Sequence, residues 1–167
     1  KGTVPVLVLP DRVIEESWDI MLWALAQNDP QAWLPQDNSR LEDQVALVKA
    51  CDQEFKPQLD RYKYPSRYPM TDANDARQAG TGFLNRLHQR LKTDAFLSGA
   101  SWGLADAAIA PFVRQFAHTD PTWFAAQAWP ELIDWLDRFE NSPDYQRCMH
   151  KYKVWHPGNK PVSFPAS

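Results

Sequence analysis

Four residues near the start of the chain, Val4, Pro5, Glu16 and Ser17, have the chemistry to hold a small zwitterionic peptide. Glu16 offers a carboxylate to an ammonium, and Ser17 offers a hydroxyl and a helix N-terminal N–H to a carboxylate. Pro5 has no N–H. If its peptide bond is cis, it turns the N–H and C=O of Val4 outward, where a bound peptide can pair with them as a strand does. Cis is the minority state of X-Pro bonds, so spacing alone leaves a second reading open. In that reading Pro5 starts an edge strand, and Ser17 caps a helix whose apolar positions are Trp18, Ile20, Met21 and Leu25.

Two other stretches carry chemistry. Arg61-Tyr62-Lys63-Tyr64-Pro65-Ser66-Arg67-Tyr68-Pro69 sets three tyrosines among three cations. Such a surface suits a flat or anionic electrophile, and it equally suits a loop whose tyrosines cover helix ends. In Gly99-Ala100-Ser101-Trp102-Gly103-Leu104-Ala105-Asp106-Ala107-Ala108-Ile109-Ala110-Pro111-Phe112, Asp106 follows Gly103 by three residues. Its carboxylate can fold back onto the free N–H groups that open a buried helix, a role in folding. His88, His118, His150 and His156 lack ligand spacing, so no metal is expected. Cys51 and Cys148 stand apart without a CxxC and are expected to be buried apolar residues. His118-Thr119-Asp120 reads as a loop capping arrangement rather than a catalytic dyad. No Gly-rich phosphate loop, nucleophile elbow or paired-carboxylate signature occurs.

These residues must be placed by a short β segment and a set of helices. Val6 to Leu9 and Arg12 to Glu15 read as strands around Pro10-Asp11, and Ser17 to Asn28 as a helix. Asp29 to Asn38, with Pro30, Trp33 and Pro35, reads as a packed linker. A long helix is predicted from Ser39 to Arg61, with Leu41, Val45, Val48, Cys51, Phe55 and Leu59 at helical spacing and a kink at Pro57. Another runs from Asp72 to Leu91 with Ala76, Gly80, Phe83, Leu84, Leu87 and Leu91 on one face. Gly80 and Gly82 each cost about 1 kcal/mol relative to alanine, so both are expected at a close helix or subunit contact. Thr122 to Gln127, Trp129 to Asn141 and Ser142 to Tyr152 read as short helices behind Pro121, Pro130 and Pro143, and the tail after Trp155 as irregular. Trp23, Trp123, Trp129 and Trp135 fall in apolar helical patterns and read as core.

Composition bounds the function classes. With 167 residues and 44% hydrophobic content the chain can bury a substantial core. A net charge of −3 gives no electrostatic case for nucleic acid or an anionic membrane. No apolar run approaches the roughly 20 residues of a membrane span, and no signal peptide is visible at Lys1.

Gly2-Thr3-Val4-Pro5-Val6-Leu7 with Val13-Ile14-Glu15-Glu16-Ser17-Trp18-Asp19-Ile20 resembles the end of the thioredoxin-like domain of a glutathione S-transferase, and the Gly99–Phe112 segment resembles the family's all-α domain. The family usually has Ser or Thr three residues before the Asp; Gly103 stands there in this chain, which removes the reciprocal half of that capping box. The resemblance spans nearly the whole chain. It implies a mainly α fold: residues 1–28 as the last ββα part of a thioredoxin-like domain, 29–38 as linker and 39–167 as the helical bundle. It implies that Val4, Pro5, Glu16 and Ser17 hold the cysteinyl and γ-glutamyl parts of glutathione. A cosubstrate pocket is implied near the end of the first long helix and the C-terminal segment, with Tyr62, Tyr64, Arg67, Tyr68, Tyr152 and Trp155 as candidates. The reaction expected of the parent protein is transfer of glutathione to a small hydrophobic or aromatic electrophile, in a cytoplasmic homodimer without metal. A thiol/disulfide oxidoreductase and a non-catalytic helical interaction module are the alternatives. The family's activating Tyr, Ser or Cys lies early in the thioredoxin-like domain, and no residue here corresponds to it. The chain is therefore expected to be a fragment lacking roughly the first third, inactive alone.

Overall fold

In the computed structural model, which describes residues 4–70, 72–154 and 156–162, β1 (Leu7–Val8) and β2 (Val13–Ile14) form one antiparallel hairpin. Leu7 faces Ile14, Val8 faces Val13, and the Leu9 N–H donates to the Arg12 carbonyl at 2.8 Å across Pro10-Asp11. The helix α1 (Ser17–Gln27) follows. Both strands are shorter than their apolar runs, because a lone pair has no third strand to extend its ladder. No residue between Val4 and Asp43 is buried. Trp18 and Met21 of α1 are partly buried against the core, and Trp23, expected there, stays outside it.

The linker is ordered by one side chain. The Asp29 carboxylate accepts from the backbone N–H of Trp33 (2.8 Å) and of Leu34 (2.9 Å), an Asp-led turn that fixes the path to the next helix. There α2 (Asn38–Ala50) opens behind Asp37, whose side chain accepts from Ser39 N–H.

The predicted long helix divides into α2, a π turn (Cys51–Phe55) and α3 (Lys56–Lys63). Pro57 supplies the reason: it has no N–H for the carbonyl one turn back, and the chain widens so that Lys56 N–H reaches the Cys51 carbonyl. A 3-10 turn (Pro65–Arg67) leads to α4 (Ala73–Leu91), capped by Asp72. Then come α5 (Leu104–Ala117), α6 (Pro121–Ala125), α7 (Pro130–Glu140) and α8 (Pro143–Cys148), the last three each with proline in the first turn. Asp120 caps α6 by accepting from Trp123 N–H, the loop-capping role read from His118-Thr119-Asp120.

The core lies among α2 to α5 and α7, with Phe55, Leu84, Ile109, Leu132 and Trp135 fully buried. Gly80 admits a close contact: a Cβ there would stand 2.8 Å from the Phe116 ring. Gly82 does not, since nothing lies within 4 Å of a Cβ at that position, so its predicted contact is not made among the described residues. Cys51 is buried as expected, whereas Cys148, at the end of the short helix α8, is exposed.

Asp106 is fully buried and accepts four hydrogen bonds: Leu97 N–H and the Trp135 indole N–H at 2.8 Å, Ser98 N–H at 3.0 Å, and Gly103 N–H at 3.1 Å. One carboxylate thus ties the 97–103 loop, the start of α5 and the centre of α7. The missing cap hydroxyl is supplied by another residue. Ser98 Oγ accepts from Ala105 N–H at 3.2 Å, and Gln44 Oε1 shares that N–H at 3.2 Å. A Cβ on residue 103 would meet the Ser98 side chain at 2.7 Å, so glycine at 103 and serine at 98 are one arrangement. Leu104 N–H donates to the Trp33 carbonyl at 3.2 Å, joining the linker to the same helix start.

Candidate functional site

A cleft of about 570 Å³ opens where the hairpin and the start of α1 face α5 and the start of α3. It is lined on one side by Val4, Pro5, Glu15, Glu16, Ser17 and Met21, and on the other by Lys56, Ala107, Ala108, Pro111 and Phe112. All four residues singled out for peptide binding come together in it.

The Val4–Pro5 peptide bond is cis. Val4 is 91% exposed and lines the cleft. Ser17 is the first helical residue and not the cap. Glu16 occupies the cap position in extended conformation, and no side chain caps this helix. The start of this helix brings its first N–H groups and the positive end of the helix dipole to the cleft, a setting suited to an anion. The Glu16 carboxylate stands beside it on the same wall, so one edge of the cleft offers both signs of charge a residue apart.

The opposite wall is mostly apolar. Pro111, inside α5, supplies no N–H to the Ala107 carbonyl one turn earlier, and both residues line the cleft. Lys56 is the one cation among the described lining residues. Its Nζ lies 4.5 Å from the centre of the Phe112 ring and 3.0 Å from Asp52 Oδ1.

None of the tyrosines expected to wall a cosubstrate pocket lines this cleft. Tyr62 is 7% exposed and faces inward, its ring 4.9 Å from that of Phe116, and burial raises its phenol pKa. Tyr64 sits between two cations, Lys63 at 5.1 Å and Arg67 at 4.4 Å, and Lys63 also donates to Gln115 Oε1 at 2.9 Å. Tyr68 is exposed after the 3-10 turn. Tyr152 meets His150 edge-on at 4.7 Å. Trp155 lies outside the described residues. Sequence reasoning missed Lys56, Met21, Ala107, Ala108, Pro111 and Phe112. The proline inside an otherwise helical run was the available signal for the α5 wall. Among the described residues no group of three His, Cys, Asp or Glu side chains could hold a metal ion. No described helix is long and apolar enough to cross a membrane.

Residues 32–138 match the family described as glutathione S-transferase, C-terminal domain. Solved structures share the fold. A glutathione S-transferase of Actinobacillus pleuropneumoniae is 17% identical with a TM-score of 0.70, over 87% of this chain and 66% of that one. A glutathione transferase of Burkholderia graminis, holding two glutathione molecules per subunit, is 23% identical with a TM-score of 0.68, over 83% and 62%. A glutathione transferase family member of Pseudomonas fluorescens, with two glutathione bound, is 18% identical with a TM-score of 0.67, over 81% and 63%. The chain therefore spans slightly less than two thirds of the length of these relatives. No curated protein sequence matches it.

Proposed function

The chain belongs to the glutathione S-transferase family through its C-terminal all-α domain, and from that premise we propose that the cleft beside the hairpin is a glutathione site in a protein that transfers glutathione to small electrophiles. The observation that carries this reading is the convergence of Val4, Pro5, the Glu16 carboxylate and Ser17, the first residue of α1, on one cleft. Val4 N–H and C=O pair with the cysteinyl residue, Glu16 takes the γ-glutamyl ammonium, and Ser17 takes the γ-glutamyl carboxylate through its hydroxyl and N–H. In this reading residues 1–28 close a thioredoxin-like domain, 29–38 link it and 39–167 form the helical domain. Bound relatives support the ligand: the Burkholderia graminis and Pseudomonas fluorescens proteins hold glutathione.

Transfer then requires that the thiol release its proton to solvent and that the thiolate sulfur bond to the electrophilic carbon as the leaving group departs with its bonding pair, as halide from an aryl halide. The cleft residues grip the peptide. The activating residue is assigned to the first strand-to-helix turn of the family's thioredoxin-like domain. The two glutathione molecules of those relatives favour a second reading, glutathione-dependent thiol/disulfide exchange. The full-length protein separates the two: turnover of an aryl halide supports conjugation, and reduction of bis(2-hydroxyethyl) disulfide without it supports exchange. Saturable glutathione binding by calorimetry tests the site itself, and its absence would overturn both. A homodimer in the cytoplasm is proposed with this reading; sedimentation velocity of the full-length protein tests the dimer, and fractionation the compartment.

A further inference from the structure

Two walls of unlike chemistry make up the cleft, and the glutathione reading uses only one. The wall left over combines Pro111, Phe112 and two alanines with a single cation, Lys56. We propose, resting on that reading, that the cosubstrate is an electrophile carrying an acidic group on a flat apolar body, and that Lys56 is the residue that selects it. Phe112 and Pro111 offer a surface for a ring, and Lys56 Nζ, 4.5 Å over Phe112, stands at the edge of that surface.

Its present partner does not remove it from use. The Lys56–Asp52 pair is exposed on both sides, with 38% and 50% of the side chains accessible, and exposed pairs of this kind are weak. An ammonium has three donors, so a ligand carboxylate can share it with Asp52 or replace it. The positive character continues outward along the same face of α3. Lys63, two turns after Lys56, likewise reaches α5, and Arg67 lies beyond it over Tyr64. Neither Lys63 nor Arg67 makes an ion pair among the described residues. The basic run at Arg61–Arg67 thus leads an anion toward the cleft and does not wall it.

The test uses the full-length protein with saturating S-methylglutathione and two unreactive probes of one shape, 3,5-dinitrobenzoate and 3,5-dinitrobenzamide, measured by calorimetry. The acid is expected to bind about tenfold more tightly than the amide. Lys56→Gln removes that preference while amide affinity stays unchanged, Lys56→Arg keeps it, and Asp52→Asn increases it. Equal binding of acid and amide by the unaltered protein, or equal losses of both in Lys56→Gln, would overturn the proposal. S-methylglutathione that fails to bind, with the acid preference intact and dependent on Lys56, would overturn the glutathione reading and leave the selectivity standing.

Discussion

Glu16 and Cys51 show opposite uses of an ionisable side chain. Glu16 sits at the mouth of the cleft beside the start of α1, where a carboxylate meets an incoming ammonium. A charge-assisted hydrogen bond contributes roughly 1.5–3 kcal/mol, so Glu16→Ala is expected to weaken glutathione binding more than tenfold by calorimetry. An unchanged dissociation constant would reduce Glu16 to a helix-start residue. Cys51 is sealed in the core, and burial pushes its thiol from about 9 up to about 12. The folded state therefore holds this proton where the unfolded chain releases it. The stability it contributes is complete below pH 9 and is lost as pH rises from 9 toward 12, with a slope of about 1.4 kcal/mol per pH unit. Tyr62, raised by its own burial, acts in the same direction at higher pH. Urea titrations across this range should show the steepest part of the decline removed in Cys51→Ala. The thiol's burial was legible from its place among Val48, Phe55 and Leu59. The exposure of Cys148 was not, because a six-residue helix has no sustained apolar face to read.

The start of α5 is capped by residues from three segments. Asp106 was readable because its bond to Gly103 N–H is local and fixed by spacing. The hydroxyl that completes the cap comes from Ser98 in the preceding loop, and Gln44 of α2 supports it, contacts that no sequence periodicity encodes. Gly103→Ser, which would restore the family's residue, is therefore expected to destabilise the chain, by about 1–3 kcal/mol of overpacking against Ser98. Adding Ser98→Gly should recover most of that loss, and a double-mutant cycle by urea unfolding measures the coupling. Simple additivity would show that the two positions act independently. The kink expected at Pro57 was also legible in place but not in kind. Proline marks where the α ladder must fail, while the choice of a π turn depends on how Cys51 and Phe55 settle into the core.

Across the whole molecule, packing is uneven. The helices from α2 onward share one buried core, while the hairpin and α1 hold to it through Trp18 and Met21 and contain no buried residue. Amide exchange is expected to follow this division in the 167-residue chain, with β1, β2 and α1 exchanging well before α4 and α5. Equal protection in both would show that the hairpin unfolds only with the core. The cleft joins these unequal parts, which explains why half of it escaped sequence reading: its hairpin wall is a contiguous motif, and its α5 wall exists only once distant helices pack. The π turn adds a further constraint on that wall. Each residue of an α-helix advances about 100°, and the extra residue in 51–55 is absorbed within a single wide turn. Deleting one residue there would remove the wide turn and leave Lys56 and Lys63 on the side of α5, whereas the same deletion inside the regular turns of α3 would rotate every residue after it by about 100°. The wide turn is thus the place where the chain accommodates a change of length without turning the cationic face of α3 away from the cleft.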